Sequence, residues 1–196
     1  MTDLKLNIYL SGVGGQGIGL LSETLMRAYD RAGFPVRGVD THGLAQRGGM
    51  VESHLRIGYP GGSPLIEPGR ADLVLSLERT EALRAMTSQL RRGGSLAFYD
   101  TLWQPLPVRL GEAGEVTLED LKNSAGQADI RILRVHLDDL PDVRMQNMAL
   151  LGAAFHGDLF PGLREVDLVM ALEDLMGGRQ GEANRKVLET SRGGWL

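Results

Sequence analysis

Apolar and polar residues follow one another along the chain with the spacings of strands and helices in alternation. The apolar run at 6–10 predicts a first strand, and 18–32 predicts an amphipathic helix. The apolar side chains of that helix recur three and four positions apart, at Leu21, Leu25, Ala28 and Ala32. Gly33 then ends the helix, and 36–39 predicts a second strand. Such a strand–helix–strand unit within one sheet implies parallel strands and a right-handed crossover.

The alternation continues through the rest of the chain. At 51–57 apolar and polar residues alternate singly, which predicts a strand with one polar face, whereas 71–77 is nearly all apolar, as in a buried parallel strand. Thr117 and Asp120 have the spacing of a capping box at the start of a helix. Further strands are predicted at 95–99 and 130–135, and further helices at 80–90, 143–156, 163–176 and 182–190.

This order of elements predicts a doubly wound α/β fold. We expect a mostly parallel, Rossmann-like sheet, followed by helices at the C-terminal end. A single domain is expected over 1–196, because no internal repeat, low-complexity tract or clear boundary interrupts the pattern. The tail at 177–196 has three glycines before its helix, and it is predicted either to be mobile or to pack on a partner.

The composition excludes several classes of protein. An apolar fraction of 42% over 196 residues is enough for a core, and a net charge of −4 disfavours a broad nucleic-acid surface. We find no bilayer-spanning run and no signal peptide, so we expect no membrane contact. The absence of cysteine predicts a cytoplasmic location. The chain has no cysteine, which excludes disulfides, thiol nucleophiles and cysteine-bound iron–sulfur clusters on it. Its four histidines lack metal-ligand spacing, so no metal site is predicted.

A glycine-rich segment between the first strand and the first helix is the first candidate site. The backbone N–H groups of such a turn, together with the positive end of the helix, can hold a phosphate or a carboxylate. The candidate residues are Gly12, Gly14, Gly15, Gln16 and Gly17. The same glycines could instead serve only the close packing of strand and helix, and the pattern leaves both interpretations open.

The loop after the second strand is the second candidate site. It brings a histidine, an amide and a guanidinium together among glycines, in His42, Gln46, Arg47, Gly48 and Gly49. A histidine can move protons near neutral pH, and an arginine can hold a carboxylate or phosphate with two hydrogen bonds. The alternative is that these groups serve only local hydrogen bonding. Because ligands bind at the carboxyl ends of strands in open α/β sheets, we expect both candidate loops to meet at one edge.

Four other polar residues are expected to have structural roles. Glu78 is predicted to end a strand, where it faces solvent or pairs with an arginine. His136 and His156 lie among apolar residues and are expected to be packed or hydrogen-bonded. Asn147 is a polar residue of an otherwise apolar helix, and it either bonds a backbone group in the core or faces the carboxyl edge.

Three segments together resemble a known family. Gly12–Gly17 (GVGGQG), Thr41–Gly49 (THGLAQRGG) and Val51–Gly58 (VESHLRIG) are similar to the gamma-type domain of 2-oxoacid:ferredoxin oxidoreductases, and most of all to its indolepyruvate-type members. The similarity covers most of the chain. It departs from the family pattern at Asp40 and Leu44.

The resemblance implies one subunit of a complex that oxidatively decarboxylates 2-oxoacids to acyl-coenzyme A. It implies a large partner subunit that holds thiamine diphosphate and the iron–sulfur clusters, with ferredoxin as an indirect partner. By the same resemblance the chain holds no cofactor alone and carries no catalytic residue. The two candidate loops would form a surface against the large subunit, near coenzyme A. The absence of cysteine agrees with this division of roles.

Two other hypotheses stay open at this point. The chain could act alone as an NAD- or flavin-dependent oxidoreductase, with Gly12–Gly17 on the pyrophosphate and Asp40, 23 residues after Gly17, on the ribose. It could also be a non-enzymatic binding protein. Cofactor titration of the isolated chain and co-purification with a large subunit distinguish the three hypotheses.

Overall fold

One mixed sheet of seven strands forms the centre of the protein over residues 4–42, 49–103 and 114–196, the part of the chain that this computed structural model describes. The strands are β1 (Leu6–Val13), β2 (Val36–His42), β3 (Met50–Ile57), β4 (Ala71–Ser76), β5 (Leu90–Tyr99), β6 (Arg131–Val135) and β7 (Gly194–Trp195). Their order across the sheet is β2-β3-β1-β4-β5-β6-β7. Only β7, two residues long and next to glycines, has no counterpart in the sequence prediction.

Five of these seven strands run in the same direction. β1, β4, β5 and β6 pair in parallel, and β2 shares their direction although β3 separates it from β1. β3 pairs antiparallel with both of its neighbours, and β7 pairs antiparallel with β6. The predicted mostly parallel, doubly wound sheet is therefore confirmed. The insertion of β3 between β1 and β2 is the feature that local patterning does not reveal.

Helices cover both faces of the sheet. They are α1 (Ile18–Arg31), α2 (Arg79–Ser88), α3 (Leu118–Ala128), α4 (Gln146–His156), α5 (Glu165–Leu175) and α6 (Gly178–Thr190). The first face carries α1, α4, α5 and α6, and the second face carries α2 and α3. β1 shows the division, because Ile8 and Leu10 are buried against the first group and Tyr9 against the second.

The local signals for helix ends agree with the structure. Gly33 follows α1 with a φ of +84°, in the left-handed region that glycine favours. Thr117 and Asp120 form the predicted capping box, with each side chain accepting the other residue's backbone N–H. The helix predicted from 143 begins as a 3₁₀ turn at Val143–Met145, where the carboxylate of Asp142 accepts the backbone N–H of Arg144, and continues as α4.

The last twenty residues form α6 and β7. α6 packs against α4, and Gly152 brings the two backbones together, since a Cβ atom there would lie 2.0 Å from the carbonyl oxygen of Leu188. β7 lies against β6 with Trp195 opposite Leu133, and the guanidinium carbon of Arg131 lies 5.2 Å from the centre of the Trp195 ring. This segment therefore completes one helical layer and one edge of the sheet.

Gly152→Ala is expected to destabilise the protein, because its methyl group would overlap the backbone of α6. Overpacking of this kind costs about 1–3 kcal/mol. The control is Gly126→Ala in α3, where no atom surrounds the position within 4 Å. That change should raise the free energy of unfolding by about 0.5–1 kcal/mol, since alanine favours helix over glycine. Urea unfolding measures the free energy of unfolding of both variants. Equal effects of the two substitutions would contradict the close approach of α4 and α6 at Gly152.

Candidate functional site

The glycine-rich turn lies where β1 ends and α1 begins, at the carboxyl edge of the sheet. Gly15 and Gly17 have φ angles of +104° and +84°, so both stand in the left-handed region. Gly17 precedes α1 directly, and its carbonyl oxygen accepts the Nδ2–H of Asn147 at 3.3 Å. A Cβ on Gly17 would lie 2.5 Å from that nitrogen, so this position requires glycine for both conformation and space. Asn147 thus satisfies both predicted alternatives, since it bonds a backbone group and lies at the carboxyl edge.

The side chain of Gln16 holds this turn in place. It is buried, its Oε1 accepts the backbone N–H of Val13 at 2.8 Å, and its Nε2 donates to the carbonyl oxygen of Leu77 at 2.7 Å. The second bond links the turn after β1 to the end of β4. Gln16 was predicted as a ligand-binding residue, and in the structure its amide is engaged with the protein's own backbone.

The second candidate loop reaches the same edge at its two described ends. His42 is the last residue of β2, and Gly49 precedes β3 and accepts the N–H of Gly14 at 2.8 Å. This bond joins the two candidate loops as the sequence predicts. Three candidate residues, Gln46, Arg47 and Gly48, lie outside the described residues, as does the side chain of His42.

Glu78 has a more internal position than the sequence predicts. Its side chain is buried rather than facing solvent, and it caps α2 by accepting the N–H of Glu81 at 2.8 Å. It also accepts the N–H of Trp103, after β5, at 3.4 Å. Burial raises the pKa of this carboxyl, and the N–H donors counteract that rise. The expectation of a solvent-facing Glu78 is therefore wrong, and no arginine among the described residues pairs with it. Its place directly between a strand and a helix was the signal for a capping role.

A group of ionisable side chains lies beside Glu78, between β3, β1 and α2. Tyr9 donates its hydroxyl proton to Glu52, and Glu81 is held by Arg84 at 2.7 Å. Burial raises the pKa of Glu81, and the positive charge of Arg84 opposes that rise. The sequence predicted a polar face on the strand that carries Glu52, but the partners from β1 and α2 are distant in sequence and could not be predicted.

His54 belongs to the same group and is the histidine that sequence analysis left without a role. Its Nδ1 accepts the backbone N–H of Ile66 at 3.1 Å, which requires that nitrogen to be unprotonated. Burial lowers the pKa of His54, and the nearby Glu52 carboxylate, 4.0 Å from Nε2, partly offsets the shift. His54 therefore anchors the loop before β4 in its neutral form.

A small cavity opens beside the glycine-rich turn. It measures about 160 Å³ and lies against Gly15, Gly17 and Asn147 on one side and Arg144 and Asn184 on the other. The volume is below the 300–1,000 Å³ range of ordinary small-molecule pockets. The cavity lies near the start of α1 and is too small for a whole dinucleotide.

Two further observations bear on the alternatives. The carboxylate of Asp40 accepts the hydroxyl of Ser22 on α1 at 3.0 Å, so the residue assigned to a ribose has a partner within the chain. In the ranges that the structure covers, no three His, Asp or Glu side chains are grouped as metal ligands would be. Nor is any helix of those ranges long and apolar enough to cross a membrane.

Comparison with known proteins places the chain in a family. The sequence profile described as "Pyruvate ferredoxin/flavodoxin oxidoreductase" matches residues 7–193, which is nearly the whole chain. The chain belongs to this family. The resemblance predicted from Gly12–Gly17, Thr41–Gly49 and Val51–Gly58 is therefore confirmed.

Curated family members of similar length support the assignment. Indolepyruvate oxidoreductase subunit IorB of Archaeoglobus fulgidus is 32% identical over 191 residues, which cover 95% of this chain and 93% of that protein. The IorB subunit of Methanothermobacter thermautotrophicus is 31% identical over 199 residues, covering 97% of each chain. The similarity therefore extends over more than nine-tenths of each protein.

Solved structures show the same fold at lower identity. The pyruvate oxidoreductase subunit PORC of Thermotoga maritima superposes with a TM-score of 0.65 at 20% identity, over 94% of this chain and 93% of that one. The gamma subunit of a keto/oxoacid ferredoxin oxidoreductase from Geobacter sulfurreducens gives a TM-score of 0.62 at 19% identity, with 94% of each chain covered. This chain thus shares its fold with both of these subunits.

Gln16→Ala is expected to lower the free energy of unfolding by about 2 kcal/mol, since it leaves a buried N–H and a buried carbonyl without partners. The control is Gln127→Ala, an exposed position in α3 where the change should be nearly neutral. Chemical denaturation of the two variants measures the difference. A Gln16 variant as stable as the control would refute the anchoring role.

The neutral state of His54 predicts a loss of stability at low pH. Because its folded-state pKa is lowered from 6.5, its contribution is complete above about pH 6.5 and is lost as the pH falls through the folded-state value. His54→Asn keeps an acceptor for Ile66 but does not titrate. The carboxyls whose pKa values are raised, Glu78 and Glu81, act in the opposite sense in both proteins. Wild type should therefore lose more stability than the variant between pH 7 and pH 5 in thermal unfolding, and parallel curves would contradict this.

Proposed function

We propose that this chain is the small, cluster-free subunit of a 2-oxoacid:ferredoxin oxidoreductase of the indolepyruvate type. The observation that carries the proposal is the family match over residues 7–193, together with similarity to IorB subunits over more than nine-tenths of each protein. The enzyme would decarboxylate a 2-oxoacid oxidatively to an acyl-coenzyme A, and this chain would be inactive alone.

The chemistry of the reaction belongs to the partner in this proposal. Thiamine diphosphate on the large subunit supplies the bond-breaking chemistry, and iron–sulfur clusters there pass electrons to ferredoxin. The composition of this chain fits that division, because a protein with no cysteine lacks the usual ligands of such clusters. Its own residues would bind the large subunit and position an anionic part of coenzyme A.

The carboxyl edge of the sheet is the surface we assign to the large subunit. The proposed binding residues are those of the two candidate loops, Gly12, Gly14, Gly15, Gln16, Gly17, His42, Gln46, Arg47, Gly48 and Gly49. The bond between Gly14 and Gly49 makes the two loops one surface. Large apolar side chains flank it at the same edge, where Met50 is 41% exposed, Trp103 47% and Val143 65%. Large apolar side chains exposed together at one edge are typical of an interaction surface.

The alternative of a stand-alone nicotinamide or flavin enzyme has less support. The cavity at the glycine-rich turn holds about 160 Å³, and the Asp40 carboxylate is bonded to Ser22. A dinucleotide would need a larger cleft and a free acidic group for its ribose. Titration of the isolated chain with NAD and FMN tests this directly, and micromolar binding with activity in the absence of a partner would favour the alternative.

Arg47→Ala is expected to weaken either assembly with the large subunit or use of coenzyme A by roughly tenfold, as for loss of one charge-assisted contact. The chain and the large subunit are co-purified, and the KM for coenzyme A is measured in the reconstituted complex. Arg27→Ala is the matched control, since Arg27 lies exposed on α1 and pairs only with Glu23 one turn away among the described residues. Unchanged assembly and turnover for Arg47→Ala would remove this residue from the surface.

Failure to co-purify with the large subunit at any salt concentration would overturn the proposed function as a whole.

A further inference from the structure

A cavity near the opposite edge of the sheet has more basic than acidic side chains in its lining. It measures about 830 Å³ and lies where β1, β4 and β5 begin and β3 ends. Four of its lining side chains are basic, Lys5, Arg56, Arg70 and Arg91, and two are acidic, Glu67 and Asp72. The cavity thus has an excess of two positive charges in a protein whose net charge is −4.

A hydrogen-bonded row builds the floor of this cavity across four adjacent strands. Arg56 on β3 donates from Nε to Oδ1 of Asn7 on β1 at 3.2 Å. The N–H of Asn7 donates to Asp72 on β4 at 2.8 Å, and Asp72 accepts Nε of Arg91 on β5 at 2.7 Å. The row fixes two guanidinium groups at the ends of a rigid line of strands.

Stacking and loop contacts fix the first guanidinium further. The guanidinium carbon of Arg56 lies 4.0 Å from the centre of the Tyr59 ring, and its Nη1 donates to the carbonyl oxygen of Ser63 at 2.8 Å. Within the described residues, no hydrogen bond occupies the Nη2 of Arg56 or the Nη2 of Arg91. Each therefore keeps donors that can serve a ligand.

The remaining two basic side chains, those of Lys5 and Arg70, are not used by the described part of the fold. Over the part of the chain that the structure covers, the side chains of Lys5 and Arg70 make no hydrogen bond or ion pair. Like charges in one cleft repel one another and focus a positive potential on its interior. An anion that carries several oxygens would relieve this repulsion, and arginine matches phosphate oxygens with pairs of parallel N–H groups.

We propose that this cavity, at the amino edge of the sheet, is a binding site for a phosphate-bearing organic anion of about nucleotide size. Its volume lies within the 300–1,000 Å³ range of small-molecule sites. The site is separate from the surface assigned to the large subunit, because Asn7 and Val13 stand at opposite ends of β1, about 20 Å apart at 3.3 Å per residue. It does not depend on the proposed function.

The test is calorimetric titration of the whole chain at low salt with inorganic pyrophosphate and with adenosine 5′-diphosphate. Both probes should bind, the nucleotide more tightly, and the affinity should fall as salt is added. The double variant Lys5→Gln with Arg70→Gln should weaken both by about tenfold or more, since it removes two charged donors that the fold itself does not use.

The matched control is the double variant Lys122→Gln with Arg179→Gln, which makes the same change of charge at exposed positions outside the cavity. It should bind both probes as wild type does. Thermal unfolding without ligand checks that both double variants fold. Absence of binding by wild type, or an equal loss in the control, would overturn the proposal. So would binding of a polyglutamate peptide without binding of either phosphate probe, which would point to an acidic protein partner instead.

Discussion

The two hydrogen bonds of the Gln16 amide are the constraint on which the carboxyl edge depends. Buried polar groups are costly unless they are hydrogen-bonded. The Gln16 side chain accepts the N–H of Val13, at the end of β1, and donates to the carbonyl oxygen of Leu77, which follows β4. The turn is thereby fixed relative to the end of β4. From that fixed turn the chain enters α1 directly after Gly17. The N–H of Gly14, in the same turn, donates to the carbonyl oxygen of Gly49 in the second candidate loop. A change at Gln16 would consequently affect elements that lie far apart in the sequence.

The Gln16 hydrogen bonds also lie at the position where ligands usually bind in this kind of sheet. α1 follows β1 onto one face and α2 follows β4 onto the other, so the crevice between β1 and β4 is the point where the winding changes direction. The Gln16 side chain spans that crevice to reach Leu77. The space between the ends of β1 and β4 is therefore occupied by the protein's own amide.

Local patterning predicted most of the fold because its signals are local. Gly33, the capping box at Thr117 and the apolar periods of the helices act within one or two turns, and each agrees with the structure. The place of β3 depends on which strands pair, and β7 depends on the distant strand β6. Neither strand position can be predicted from a short segment of sequence.

The candidate site shows the same limit. That both candidate loops lie at the carboxyl edge follows from the shared direction of β1 and β2, whereas the internal use of Gln16 depends on the carbonyl of Leu77, 61 residues away. The burial of Glu78 and the anchoring by His54 likewise arise from contacts that only the folded chain creates.

The short strand β7 has a consequence for the behaviour of the sheet in solution. Without it, β6 would present a row of unpaired N–H and C=O groups along the outermost parallel strand, and such an edge is a template for joining another sheet. β7 covers part of that row, and the N–H of Leu196 donates to the carbonyl oxygen of Ile132 at 3.0 Å. This pairing reduces the part of β6 that could pair with the edge of another sheet. At the opposite side of the described sheet, β2 is the edge strand.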